Sequence, residues 1–286
     1  MATTDKRLDI SELDFDDIKT NLKTFLRNQS EFTDYDFEGS GMSALLDLLS
    51  YNTHYLSMNA NLLANEMFID TASLRSSVVS HAKTLGYTPR SVRASKATVD
   101  ITLNDTSVTT ATLARGTKFS TVVDDITYNF LVNTARTKSR VDNVLTFDNV
   151  DLFEGSLITT RYTVDSTNVD QRFIIPDSNA DTTTLTVSIQ NSSTDTTTTV
   201  FTLATDISQV SDTSNSYFLQ EIENGQFEVY FGDGVIGKAL TDNNIVILEY
   251  IVTNKSVANG ASTFTPPGSI SGSSDNSVTT VSSATG

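Results

Sequence analysis

Gly232-Asp233-Gly234-Val235-Ile236-Gly237 spells G-x-G-x-x-G directly after an apolar run. In a dinucleotide site that spacing lets a pyrophosphate approach the N-terminus of a following helix. The chemistry also needs that helix, and an acid about twenty residues on to meet the ribose. Here residues 238–244 are too short and too polar for the helix, and Asn254 stands where the acid should be. Gly232, Asp233 and Gly234 are therefore expected to be structural turn residues, with glycine supplying positive φ. His54 has no histidine or carboxylate three or four residues on, and His81 lies beside an apolar helical stripe, so both read as ordinary helix residues. Acids gather at Asp14, Asp16 and Asp17 and again at Asp34, Asp36 and Glu38, without the spacing of a calcium loop. Solvated surface accounts for them. Arg90, Arg93 and Lys96 form too small a basic field for nucleic acid and suit an acidic partner or an internal ion pair. The residues thus assign no catalytic group, no cofactor and no metal.

Composition points the same way. The 286 residues carry 35 acids against 19 bases, a net charge of −16, which argues against gripping phosphate backbones. With no cysteine there is no disulfide, thiolate metal site or cysteine nucleophile. The first residues lack the basic start and apolar stretch of a signal peptide, and no apolar run reaches membrane-spanning length. A chain that is neither secreted by the usual route nor inserted in a membrane is expected.

The elements fall into two textures, α+β in class: an N-terminal helical bundle region, then mostly antiparallel β domains. Phe15, Ile18, Leu22, Phe25 and Leu26 mark a helix over 14–28, with acids at its positive end. Residues 29–41 read as a packed connector. A longer helix is expected over 42–69, where Met42, Leu49, Leu56 and Leu63 recur every seven residues beside Leu48, Tyr55 and Leu62. So broad a stripe suits either an internal helix-on-helix core or a bundle completed by another chain. A third helix should start at an Asp70 or Thr71 cap and end at Leu85, with Leu74, Val78, Ala82 and Leu85 inward and Gly86 as its left-handed stop.

After residue 90 the period becomes two. Ala97, Val99, Ile101 and Leu103 alternate with polar residues, as do Leu185, Val187 and Ile189. Asn224-Gly225 signals a hairpin, and residues 245–252 read as the most buried strand. The expected domains are 1–90 (helical), 91–210 (Thr-rich β) and 211–265 (β with the FGDG turn). Residues 266–286, rich in Gly, Ser and Thr, read as a linker.

Three segments carry a family resemblance. The run EMFIDTASLR at 66–75 followed by AKTLGYTP at 82–89 resembles the N-terminal signature of baseplate J-like proteins, the wedge subunits of contractile phage tails. YFGDG at 230–234, the run at 246–250 and Asn259-Gly260 resemble that family's strand, turn, strand and Asn-Gly segment, and RGTKF at 115–119 its step into the middle β region. The resemblance spans about 14–261 and is nearest to T-even-type myoviruses. It implies a structural, non-enzymatic role in the virion, assembled in the host cytoplasm. Helices would bundle with a second copy and with other baseplate wedge subunits, in a ring around the tail hub that helps trigger sheath contraction. Met42, Leu49, Leu56 and Leu63 would carry that interchain bundle. Members of the family usually continue past such a linker into C-terminal domains, so residues 266–286 read either as a linker at which the sequence is cut or as the end of an unusually short subunit. The competing class is a receptor- or glycan-binding fibre module, to which Thr/Ser-rich sheets also lend themselves. A wall-degrading hydrolase comes third, with no supported acid pair.

Overall fold

The computed structural model describes residues 14–32, 39, 41–168, 170–222 and 225–286. The acids at 34, 36 and 38 and Asn224 lie outside them. The chain divides into two compact units at the Thr88–Pro89 bond.

The first unit holds α1 (Phe15–Arg27), α2 (Gly41–Glu66) and α3 (Arg75–Thr84). Asp14 caps α1, its Oδ1 accepting the N–H of Asp16 at 2.8 Å and of Asp17 at 3.1 Å. Ile18 is buried while Phe15, Leu22 and Leu26 are half-buried, and Lys19 reaches Asp47 of α2 at 2.5 Å. Phe25, expected inward, is exposed. Three further helix expectations need correction. α2 stops at Glu66 rather than 69, because Met67, Phe68 and Ala72 turn back on themselves through Met67 N–H to Ala64 O and Ala72 N–H to Phe68 O. α3 is not capped by Asp70 or Thr71: its first non-helical residue is Leu74, and the cap comes from the Glu66 carboxylate. Val79 and Ala82 are its buried pair, whereas Leu74 and Leu85 face outward. Its end follows the expected chemistry. Gly86 takes φ +73° and donates to Lys83 O, and Tyr87 N–H returns to Ala82 O at 3.0 Å, so two otherwise orphan carbonyls are satisfied.

Among the described residues the second unit contains fourteen strands. In chain order they are β1 (Lys96–Leu103), β2 (Thr110–Leu113), β3 (Lys118–Val123), β4 (Ile126–Val132), β5 (Arg136–Ser139), β6 (Thr146–Glu154) and β7 (Ser156–Thr163). β8 (Phe173–Ile175), β9 (Ala180–Gln190), β10 (Thr198–Leu203), β11 (Ser216–Glu221), β12 (Phe227–Phe231), β13 (Ile245–Val252) and β14 (Asn276–Thr285) follow. They build two lobes. Lobe one is an antiparallel sheet ordered β14-β1-β6-β4-β3, with the ribbon β2-β5 beside it. The inward set of β1 is Ala97, Val99, Ile101 and Leu103, as period two predicts, and it joins Phe119, Phe130 and Leu152 in one core. Phe264 stands edge-on to Phe130, ring centroids 5.0 Å apart. Lobe two is a sheet ordered β7-β13-β9-β10-β11-β12-β8, antiparallel except between β10 and β11. Val187, Phe227, Val229, Val246, Leu248 and Tyr250 form its own core. β11 and β12 pair from Tyr217↔Phe231 to Glu221↔Phe227, closed by Ile222 N–H to Gln226 O and by Gly225 at φ +74°.

The strand pairing differs from the domain limits expected from texture. Residues 210 and 211 lie between β10 and β11, which are hydrogen-bonded neighbours, so no boundary falls there. The segment 266–286 is not a linker over its final stretch, because β14 pairs with β1 along its length. The second difference has a plain cause: β1 and β14 lie far apart in the chain, and such pairing leaves no compositional mark on either strand.

Candidate functional site

A surface built for contact rather than chemistry occupies α2. Repetition every seven residues keeps side chains on one side of a helix with a drift of only ~20° per repeat. Leu49, Leu56 and Leu63 leave 53%, 60% and 69% of their surface exposed, while Met42 is half-buried. Leu45, Leu48, Tyr55 and Leu62 beside them are exposed as well. The buried side of α2 carries Leu46 together with Ser50, Asn61 and Asn65. Among the described residues this helix therefore buries polar groups and shows leucine outward, the reverse of a helix that finishes its packing within its own chain. Leu48, Leu49, Tyr51, Asn52 and Tyr55 line a shallow hollow on that face. Tyr51 donates its hydroxyl to that of Tyr55 at 3.1 Å, with ring centroids 4.7 Å apart, which holds both rings in place.

The family-like segment that follows α2 positions the next helix. The Glu66 carboxylate accepts the N–H of Ser73 at 2.9 Å, its hydroxyl at 2.6 Å and the N–H of Leu74 at 3.2 Å. These bonds, with Ser77 adding another, pull the Glu66 pKa down to about 2. His81 Nε2 lies 3.0 Å from Glu66 O, and the Thr71 hydroxyl donates to Asn65 O at 2.7 Å. His81 thus serves as a tie between helices.

In the second unit the glycine turn closes on itself. The Asp233 Oδ1 accepts the N–H of Val235 at 2.9 Å and of Ile236 at 3.1 Å, the very amides that would otherwise face a phosphate. Those bonds hold the Asp233 pKa below the usual carboxylate range. Gly234 at φ +87° donates to Gly237 O, and Gly237 N–H reaches Ser211 O at 3.0 Å. At Gly232 the constraint is space: a Cβ would lie 2.2 Å from Ile236 O. The next element is β13, a strand, so no helix N-terminus faces the turn.

Each predicted set of residues lies in its own unit: the leucine stripe on α2, the glycine turn between β12 and β13. Sequence reasoning missed three polar residues that hold the architecture, namely Glu66, Arg115 and Glu154. Glu154 carried a signal, since it occupies the inward parity of β6 after Val150 and Leu152.

Residues 14–87 match the model of a family described as baseplate wedge protein gp6-like, helical domain. Baseplate wedge protein gp6 of Enterobacteria phage T4 is 33% identical over 266 residues, covering 86% of this chain and 39% of that protein. The helical unit, residues 14–87, belongs to the gp6-like baseplate wedge family. It comprises α1 to α3, and the match ends where Gly86 and Tyr87 terminate α3. The chain spans about two-fifths of the length of this T4 relative.

Proposed function

We propose that this chain is a structural subunit of a tail baseplate wedge, assembled in the host cytoplasm and carried in the virion. In this reading α2 joins a second copy and neighbouring wedge subunits through Met42, Leu49, Leu56 and Leu63. The whole protein contributes to the ring around the hub whose rearrangement triggers sheath contraction. The supporting observation is the inverted burial of α2, with leucines outward and Ser50, Asn61 and Asn65 inward. Full burial of a leucine is worth about 1.5–3 kcal/mol, so covering three that are already partly shielded favours association by roughly 3–5 kcal/mol per chain before the entropy of assembly. No observation of equal weight favours a receptor- or glycan-binding module.

Light scattering on the 286-residue chain, alone and mixed with other purified wedge subunits, tests the reading. The parent chain should form dimers or mixed complexes. L49S/L56S/L63S should stay monomeric with an unchanged circular dichroism spectrum. A parent that remains monomeric and captures no baseplate subunit, or a triple variant that still assembles, refutes the role given to this face.

A further inference from the structure

Lobe two is an insertion in lobe one. The chain leaves lobe one at Gly155, between β6 and β7, and returns at Thr253 after β13. The two crossings lie side by side. Gly155 sits at φ +135°, where a Cβ would come within 2.2 Å of Val252 O. The Glu154 carboxylate, just before the first crossing, accepts the Thr253 hydroxyl at 2.7 Å, Asn254 N–H at 2.9 Å and the Asn254 amide at 2.7 Å, just after the second. Hinges between rigid bodies are built this way, from a few element-terminal residues that absorb the backbone change.

The two apolar cores are separate clusters; Leu157 of β7 packs over Gly116, and polar ties join the lobes as well. Asp181 of β9 accepts Ala94 N–H at 2.9 Å, and the Ser91 hydroxyl meets the N–H and hydroxyl of Thr182, each at 2.9 Å. The longest reach belongs to Arg115, on the loop between β2 and β3. Its guanidinium donates to Thr184 O at 2.6 Å, to Glu249 O at 3.3 Å and to the Thr186 hydroxyl, and it lies 3.7 Å from the Glu249 carboxylate. Its Nε is buried without a hydrogen-bond partner. A shielded cation that spends its donors on β9 and β13 but fills neither core is a fastening between bodies.

We propose that the β unit is a two-lobed hinge, with the Glu154–Gly155 crossing as its pin and Arg115 as the latch that fixes the lobe angle. Unseating Arg115 lets the lobes swing about the paired crossings while both cores stay closed.

The chain has no cysteine, so Ser193→Cys in lobe two and Thr279→Cys in lobe one accept spin labels cleanly. Pulsed electron resonance on the otherwise unchanged chain should give one narrow distance distribution. R115A should broaden it or add a second distance, while hydrogen-exchange protection within β1 and β13 changes less than about tenfold. R115K keeps the charge without the fork and should broaden it less. An unchanged narrow distribution in R115A overturns the proposal. So does a loss of protection in β1 and β13 together in both variants, because Arg115 would then hold the cores rather than the angle.

Discussion

Glu154→Ala should be among the most damaging single changes in the β unit, and its cost can be worked from the contacts. The carboxylate is 1% exposed and is the acceptor for three donors: the Thr253 hydroxyl, Asn254 N–H and the Asn254 amide. Hydrogen bonds to a charged group contribute about 1.5–3 kcal/mol each, and stranding a buried donor costs about 1–3 kcal/mol. Simple addition would exceed 5 kcal/mol, but the site borders an open cleft lined also by Asn129, Ser156 and Asn254, through which water can replace part of what is lost. A net loss of about 3 kcal/mol is expected, or ~6–12 °C in Tm at about 2–4 °C per kcal/mol for a body of this size. E154Q keeps the shape and one acceptor oxygen. A flip of the Asn254 amide lets its oxygen accept from the new NH2, so the loss should be near ~1 kcal/mol. Urea unfolding followed by circular dichroism measures both variants. The reasoning fails if E154A lies within about 0.5 kcal/mol of the parent, the range of an ordinary surface change. It also fails if E154Q is as damaging as E154A.

At the glycine turn, G232A must displace backbone because its Cβ would meet two carbonyl oxygens at 2.2 and 2.3 Å. G234A has room and suffers only from φ +87°. G232A should lower Tm by more than twice the shift of G234A, roughly 1 kcal/mol for the latter, and equal shifts would discount the steric account. At Glu66 the folded pKa near 2 lies below its ordinary value of 4.5, so its contribution is whole above pH 4.5 and is lost as pH falls toward 2. Acid titration of α-helical signal in the parent and in E66Q should converge near pH 2 and diverge above 4.5; parallel curves would refute the cap.

Local chemistry was legible where one residue acts on its own neighbourhood. Acids open α1, Gly86 ends α3, the alternation in β1 gave its buried set and the continuous apolar run of β13 its burial, because each of these depends on residues a few positions apart. The cap of α3 was not legible, since Glu66 acts from seven and eight residues away across a turn, and a rule for adjacent Ser, Thr or Asp looks in the wrong place. The insertion of one lobe in the other was hidden for a similar reason. β9 pairs with β13 and β1 with β14 over long separations, so Thr-rich texture runs unbroken through both lobes. The leucine stripe on α2 was visible by spacing, but spacing alone could not say whether its partners lie in the same chain. The exposure of those leucines among the described residues supports a partner outside the helical unit's own packing.

The pairing of β14 with β1 has a mechanical meaning. Lys96 lies opposite Thr285, and a Cβ on Gly286 would come within 3.1 Å of Ala94 O, so the start of β1 and the end of β14 meet at one corner. Tension carried along the polypeptide through that corner would pull the two strands apart end-on. Their ladder would then open one rung at a time like a zipper, instead of resisting as a sheared block. The β unit hangs from the line of force like a pendant, and its root is the part that gives first.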